Sequence, residues 1–310
     1  MSYGGNWSKR GEWLEMTPGK ALLSQPDRNE AAAKWLMETV GMPEKLYRKL
    51  HHEQGIQWRG DRLRLVLFPY RDYGIEPRWQ ELDVLYEDDF CLVVNKPAGM
   101  AVHPDNESRE TTLNHVVAAY YEAEGIHTAV RHIHRLDKDT TGPVLYAKNE
   151  YAQLKLDEDM REKKIVRMYA AIVQGRVSQD LRRIDLPIGK DRYHASRRRV
   201  SLTGQAAITH ILSSEVYPKA SLLHIRLETG RTHQIRVHLS HMGHPLLGDS
   251  LYGGPGVFPR QALHGERLLF IHPLSGERIE VNAPWPQDMM ELRERIIEAL
   301  TDKKYLQNPE

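Results

Sequence analysis

The order of strand-like and helix-like segments constrains the fold of this chain more than any other feature of its sequence. Strand patterns, with alternating or continuous apolar residues, occur at 142–149, 166–175 and 220–230. Helical patterns occur at 110–125, 152–163, 231–243 and 284–300. Because strands and helices mix without the regular alternation that builds a parallel sheet, we predict an α+β fold with a largely antiparallel sheet.

A smaller module precedes this region. Segments 27–41 and 43–55 have the capping and stop residues of two helices, and 56–68 has the pattern of a β-hairpin. The first two dozen residues are polar and predict a partly ordered arm, whereas the Pro- and Gly-containing segment 69–81 predicts a linker. We therefore predict three parts: the arm and small module over 1–75, a larger domain over 76–300, and a tail over 301–310.

The composition limits the class of protein. The chain has 310 residues, of which 40% are hydrophobic and 27% charged, as is typical of globular proteins. Its single cysteine, Cys91, cannot form an intramolecular disulfide, which favours a reducing compartment. Met1 is followed by polar residues rather than by a signal sequence, and no apolar segment approaches the roughly 20 residues that cross a bilayer. We predict a cytoplasmic protein without membrane association.

Positive charge is concentrated in one part of the chain. The whole sequence has a net charge of only +1, but residues 161–199 contain 12 Lys or Arg against 4 acids, a local charge of +8. Such a stretch is either a phosphate-binding surface or a solvated loop. The sequence alone does not choose between these two interpretations.

Four histidines lie close together in the sequence and raise the question of a metal site. These are His233, His238, His241 and His244. Zinc sites of this kind usually add a carboxylate or thiolate in register, and the chain has neither an HExxH nor a CxxC motif. We therefore expect structural or RNA-facing histidines and predict no metal and no cofactor.

The segment "IHRLDKDTTG", residues 133–142, contains the candidate catalytic group. Asp137 and Asp139 stand between cations and a turn signal, so each is either a reactive carboxylate or a turn residue. Gly230 and Arg231 follow the strand at 220–230, where an arginine can form a forked ion pair with a carboxylate. A surface ion pair is the alternative interpretation of Arg231.

Four segments together resemble the RluA-type family of RNA pseudouridine synthases. They are "VVNKPAGMAVHP" (93–104), "HRLDKDTTG" (134–142), "EKKIVRMYAAIVQG" (162–175) and "LETGRTHQIRVHLSHMGHPLLGDSLYGG" (227–254). The resemblance implies a metal-free, cofactor-free enzyme that converts uridine to pseudouridine in ribosomal or transfer RNA. It also implies a pseudouridine synthase fold, with a mixed, mainly antiparallel central sheet and an active cleft across its middle.

The resemblance also assigns roles to residues. It implies that Asp137 is the catalytic aspartate, that Tyr169 stacks on the base and that Arg231 is the basic partner of the carboxylate. The residues that it implies for substrate binding are Arg135, which displaces the target nucleotide, Ile235, which lines the uracil pocket, Lys96, His134 and His233. Asp139 matches no catalytic position and is predicted to shape the turn.

Two questions remain open at the level of the sequence. Asp137 either attacks C1′ of the ribose or removes a proton from C2′, and both routes need an ionised carboxylate beside a breaking glycosidic bond. The alternative function is an inactive RNA-binding protein on the same scaffold. The module over residues 1–75 is vaguely similar to the S-four-like RNA-binding domain, without its basic helix face, and the protein is predicted to be a monomer.

Overall fold

The computed structural model describes residues 5–105 and 109–305, with side chains described as far as residue 298. The strands are β1 (Trp7–Arg10), β2 (Trp13–Met16), β3 (Ile56–Arg59), β4 (Arg62–Val66), β5 (Val84–Glu87), β6 (Cys91–Lys96), β7 (Arg131–His132), β8 (Gly142–Ala147), β9 (Val166–Gln174), β10 (Arg183–Asp185), β11 (Ile188–Lys190), β12 (Arg198–Val200), β13 (Ile208–Val216), β14 (Ala220–Leu227), β15 (Leu263–Ile271) and β16 (Arg278–Asn282). The helices are α1 (Lys20–Leu23), α2 (Arg28–Glu38), α3 (Glu44–His52), α4 (Leu113–Ala123), α5 (Glu150–Arg161), α6 (Gln234–His241) and α7 (Gln287–Tyr305).

Two sheets form the larger part of the molecule. One has six strands in the order β10-β13-β14-β9-β15-β16, and the other has four in the order β5-β6-β8-β7. Neighbouring strands within each sheet pair in an antiparallel manner, and an isolated parallel bridge between Thr141 and His264 connects the two sheets. The predicted α+β fold with a mixed, mainly antiparallel sheet is therefore confirmed.

The two sheets meet at a close backbone contact that positions the loop before β8. The amide of Gly265 donates to the carbonyl of Thr141 at 2.8 Å. A β-carbon on Gly142 would lie only 2.3 Å from the carbonyl oxygen of Gly265, and φ at Gly142 is +125°. Only glycine therefore fits at this position, and the segment 133–141 is held at the seam between the sheets.

The helices around these sheets begin within about three residues of the predicted starts, at Leu113, Glu150, Gln234 and Gln287. Thr112 and His115 form a reciprocal capping box at the start of α4, and the side chain of Asn149 accepts from the amide of Ala152 at the start of α5. Helix α7 follows Pro286 and continues to Tyr305, beyond the predicted end of the larger domain at residue 300. The remainder of the predicted tail lies outside the described residues.

The N-terminal module is a four-stranded antiparallel sheet in the order β1-β2-β4-β3, packed against α2 and α3. The predicted arm is wrong for residues 7–16, which form the hairpin of β1 and β2. Leu14 and Met16 are fully buried on its inner face, and β2 pairs with β4. This pairing joins residues about 50 positions apart, so the local polar composition did not indicate it.

The module packs directly on the rest of the protein. The hydroxyl of Tyr151, at the start of α5, donates to the carbonyl of Val40 at 2.9 Å. Phe90 and Phe270 share one apolar core with the leucines of the N-terminal sheet. Over the described part of the chain, no helix combines the length and the apolar character that crossing a membrane requires.

Candidate active site

Asp137 lies in the loop between β7 and β8, at the wall of a cavity of about 490 Å³. The amide of Thr140 donates to the carbonyl of Asp137 at 3.0 Å and closes a turn. The side chain of Asp137 is only 19% exposed. The carboxylate is therefore held on a rigid turn and reaches solvent only through the cavity.

Arg236 of α6 fixes the direction of this carboxylate. Its Nη1 donates to Oδ2 of Asp137 at 3.1 Å, while its Nε and Nη2 donate to the two oxygens of Asp249 at 2.7 and 2.9 Å. The guanidinium also lies over the ring of Tyr252, 5.0 Å from its centroid. Because Asp249 and Tyr252 hold the arginine in one orientation, its third nitrogen, Nη1, points at Asp137.

The charges of this cluster stabilise one another. Burial alone would lower the pKa of Arg236, but the hydrogen bonds that it donates to Asp249 and the charge of Asp137 raise this pKa above its ordinary value. The arginine is therefore a permanent cation beside Asp137, and it fixes the direction of the carboxylate.

The ion pair predicted between Arg231 and Asp137 is not the one in the structure. Arg231 is exposed, and its Nε donates instead to the carbonyl of Ala206 at 3.0 Å. Its own amide donates to the side chain of Gln234, which begins α6. Arg231 thus lies at the cavity wall but does not hold the carboxylate, because its position before the helix directs it outward.

Arg236 was missed by the sequence reasoning, although a signal for it exists. Every residue from Gln234 to Leu239 is buried, so α6 has no exposed face for a charged residue. A buried arginine requires a carboxylate partner, and Asp249 follows in the same quoted motif. An arginine in the middle of the motif that also carries Asp249 was therefore the sequence feature that pointed to an ion pair.

The four clustered histidines have separate environments, and His241 is exposed at the end of α6. His233 lies in a left-handed conformation, with φ +57°, and its Nδ1 hydrogen-bonds to the hydroxyl of Tyr252 at 2.9 Å. His238 contacts Thr209 and the carbonyl of Leu186, and His244 contacts the carbonyl of Gln174. In the described ranges, no three His, Cys, Asp or Glu side chains are arranged to hold a metal ion.

His233 lies beside the carboxylate of Asp137. Its Nε2 is 4.0 Å from Oδ2 of Asp137. Burial lowers the pKa of His233, an effect that the charge of Asp137 opposes and that of Arg236 reinforces. The imidazole is thus favoured in its neutral form at the side of the carboxylate.

Tyr169, Ile235 and His134 form the apolar part of the cavity wall. Tyr169 lies on β9 and is 5% exposed, and burial raises the pKa of its phenol. Ile235 is 3% exposed on α6. Burial lowers the pKa of His134 to about 3, and its Nε2 accepts from the amide of Leu145 at 3.3 Å. Together they provide a flat, water-poor surface around Asp137.

Arg135 and Asp139 occupy different positions in the same loop. Arg135 is exposed at the cavity wall, where its Nη1 is 3.0 Å from Nε2 of His103. The carbonyl of Asp139 accepts from Nη1 of Arg260 at 3.1 Å, and the hydroxyl of Thr141 contacts Nδ1 of His264 at 2.8 Å. The second half of the loop is therefore anchored to the neighbouring sheet.

Lys96 does not reach the cavity, contrary to its predicted contact with the substrate. It is 0% exposed, and its ammonium group donates to the carbonyls of Pro97, Met100 and Lys138 at 2.7–2.8 Å. Burial lowers the pKa of Lys96 to about 7, and the charges of Asp139 and Asp137 oppose the shift. Lys96 therefore joins the turn after β6 to the loop that carries Asp137.

We expect Lys96→Met to lower the free energy of unfolding by roughly 3 kcal/mol, because three buried or partly buried carbonyls lose the ammonium group that donates to them. Thermal or urea unfolding of the purified variant measures this change. Lys138→Met is the matched control, since the ammonium of Lys138 pairs with Glu110 at the surface and contributes little. Equal stability of the two variants would contradict the role assigned to Lys96.

The groups at the cavity wall indicate the class of protein. A carboxylate held by a buried arginine faces a buried tyrosine across a cavity, and the same wall carries Arg135, Arg161 and Arg231. A cavity with cations at its wall and a carboxylate that a buried arginine directs suits an enzyme that acts on a phosphate-bearing substrate such as a nucleic acid.

Comparisons with known proteins identify the family. Residues 90–241 match the family described as RNA pseudouridylate synthase. The chain is 43% identical over 251 residues to YhcT of Bacillus subtilis (strain 168), named as an uncharacterized RNA pseudouridine synthase, covering 79% of this chain and 83% of that protein. It is 41% identical over 244 residues to ribosomal large subunit pseudouridine synthase D of Vibrio vulnificus (strain CMCP6), covering 71% and 74% of the two chains.

A solved structure agrees with these relatives. Human RNA Pseudouridylate Synthase Domain Containing 1 superposes with a TM-score of 0.55 at 27% identity, over 68% of this chain and 87% of that one. The chain belongs to the RluA-type family of RNA pseudouridine synthases. It is an enzyme that acts on RNA and converts uridine to pseudouridine.

Proposed function

We propose that Asp137 is the reactive carboxylate of this enzyme and that its substrate is RNA of the large ribosomal subunit. The observation that carries the first part is the geometry of Asp137, which Arg236 directs into the same cavity that Tyr169 lines. The second part rests on relatives that are named ribosomal large subunit pseudouridine synthase D, one of them 41% identical to this chain.

The reaction replaces one bond to the ribose by another. The bond between N1 of uracil and C1′ breaks, the detached base turns over, and a bond forms between C5 and C1′. A proton then leaves C5, and N1 ends with a proton, so no electrons are gained or lost. In one route Asp137 bonds to C1′ and is later displaced by C5. In the other it removes and returns a proton at C2′.

The residues around Asp137 have complementary roles in this proposal. Arg236 keeps the carboxylate of Asp137 directed at the ribose. Tyr169 and Ile235 hold the detached uracil between a flat aromatic face and an aliphatic side chain. His233 and His134 border the base as neutral groups.

The target nucleotide must leave its helix to enter the cavity. Flipping a base out of a stem costs a few kcal/mol. Arg135 is exposed in the loop that carries Asp137 and can stack in the gap that the flipped nucleotide leaves. The buried ammonium group of Lys96 stabilises this loop by donating to the carbonyl of Lys138.

The basic stretch 161–199 extends the proposed RNA surface beyond the cavity. Arg161 and Lys163 lie at the cavity wall. The turn between β11 and β12 carries Arg192 and Tyr193, and Tyr193 is 92% exposed. Cations and an exposed aromatic ring suit contacts with phosphates and unstacked bases, so RNA binding should weaken as salt is added.

The other parts of the proposal concern the whole protein. We propose that the module over residues 1–75 assists RNA binding and that the larger domain over 76–300 performs catalysis. A single chain supplies the whole cavity wall described above, so a monomer is sufficient for the reaction. A cytoplasmic location is proposed because ribosomal RNA is modified where the ribosome is assembled.

Mapping of pseudouridines tests the proposed substrate. RNA from cells that lack this protein should lose at least one pseudouridine of the large-subunit RNA, and wild-type protein should restore it. An Asp137→Asn variant should not. If the large-subunit RNA keeps all its pseudouridines while a transfer RNA loses one, the proposed substrate is wrong although the proposed chemistry stands.

A further inference from the structure

Arg167 is a cation of the cavity wall that has no hydrogen-bond or ion-pair partner among the described residues. It lies on β9 two residues before Tyr169, so both side chains are on the same face of the sheet. Its Nε is buried without a hydrogen-bond partner. Over residues 5–105 and 109–298, the guanidinium makes neither a hydrogen bond nor an ion pair. Such a group is costly unless something compensates its charge.

The residues beside Arg167 cannot supply that compensation. Its neighbours on the adjacent strands are Leu227 on β14 and Leu268 on β15, both apolar. Glu228, at the cavity wall, already pairs with Lys163 at 2.7 Å and with His210 at 2.9 Å. Asp137 pairs with Arg236. Each of these carboxylates thus contacts another cation, and over the described residues Arg167 has no carboxylate of its own as a direct partner.

The absence of a side chain at Gly230 leaves space for the guanidinium of Arg167. A β-carbon on Gly230 would lie 2.6 Å from Nη1 of Arg167, closer than real side chains approach. The absence of a side chain at residue 230 thus lets the arginine head lie directly against the backbone after β14. Both residues line the cavity that holds Asp137 and Tyr169.

We propose that Arg167, placed by Gly230, binds a phosphate group of the RNA next to the target uridine. The fork of a guanidinium matches two oxygens of a phosphate. The phosphate also provides the negative charge that none of the neighbouring side chains provides to Arg167. A uracil carbonyl could accept a hydrogen bond there but would leave the charge uncompensated. The inference rests on the proposed function, since it concerns the same cavity, and it adds a substrate contact that catalysis by Asp137 does not require.

The test pairs a protein variant with a modified RNA. Synthetic stem-loops containing the mapped uridine are made with a neutral methylphosphonate in place of each flanking phosphate in turn. At one position we expect wild type to bind the neutral RNA about 10- to 100-fold more weakly, as for loss of one charge-assisted hydrogen bond. Arg167→Gln should bind normal RNA more weakly than wild type by the same factor. Its affinity should not fall further when the methylphosphonate is present at that position.

Two variants and a second readout separate this contact from a structural role. Arg226→Gln is the matched control, because Arg226 is exposed on β14 opposite Met168, on the other face of the sheet. Arg167→Gln should reduce the slope of log affinity against log salt by about one, and Arg226→Gln should leave it unchanged. Gly230→Ala, which displaces the guanidinium, should weaken binding like Arg167→Gln, and it replaces that variant if Arg167→Gln fails to fold.

Three results would overturn the inference. The first is equal sensitivity of wild type and Arg167→Gln to every methylphosphonate. The second is a salt slope that Arg167→Gln leaves unchanged. The third is a lower rate at saturating RNA with unchanged affinity. Failure of the proposed function is a different result, since wild type would then form no pseudouridine in the unmodified stem-loop.

Discussion

Asp137→Asn is expected to abolish pseudouridine formation while leaving the protein folded and able to bind RNA. An amide neither bonds to C1′ nor removes a proton from C2′, so the loss does not depend on which route operates. We expect the single-turnover rate to fall by about a thousandfold or more. Arg236 keeps both hydrogen bonds to Asp249 in the variant, so the melting temperature should change little.

Asp139→Asn is the matched control for this substitution. Asp139 is in the same loop and is also an aspartate, but the loop uses its backbone carbonyl, which contacts Arg260. Its replacement should change the rate by no more than a few-fold. The rates are measured as pseudouridine in digested RNA after a single turnover. An Asp137→Asn variant as active as Asp139→Asn would contradict the assignment of the reactive carboxylate.

Arg236→Met is expected to have the second largest effect, and it acts on both stability and rate. It leaves the carboxylate of Asp249, 1% exposed, as an unpaired buried charge, which typically costs 3–5 kcal/mol. It also releases Asp137 from its fixed direction, and misplacement of a reacting group by about 1 Å can cost about a hundredfold in rate. Unfolding and single-turnover measurements on the same preparation report the two losses.

Arg231→Met serves as the comparison, because the ion pair with Asp137 was predicted for Arg231. Its guanidinium is exposed and contacts a backbone carbonyl, so removal should cost at most about 1 kcal/mol of stability. Arg236→Lys should retain part of the stability but not the forked pairing with Asp249. If Arg231→Met destabilises the protein as much as Arg236→Met, the arrangement of this ion-pair cluster is not the one described here.

Much of the architecture was predictable because its signals are local. The alternation in 220–230 and the helical patterns at 110–125 and 152–163 depend on residues a few positions apart, and the structure has β14, α4 and α5 within about three residues of these bounds. The family resemblance added what local patterns cannot supply. It selected Asp137 over Asp139, and the structure has Asp137 and Tyr169 at the wall of one cavity.

The errors concern contacts between distant residues. Arg236 and Asp137 are 99 positions apart, and Lys96 meets the carbonyl of Lys138 across 42 positions. In both cases the choice between an exposed and a buried cation depends on tertiary packing, which composition does not report. The hairpin of residues 7–16 was missed for the same reason, since its strand β2 is completed by β4.

Release of tritium from RNA that carries uridine labelled at C5 tests the central claim most directly. Each conversion of uridine to pseudouridine expels the hydrogen of C5, so an active enzyme must release one tritium for every pseudouridine formed. We predict stoichiometric release by the wild-type protein and none by Asp137→Asn. Wild-type protein that binds this RNA but releases no tritium would instead be an inactive RNA-binding protein on the pseudouridine synthase fold.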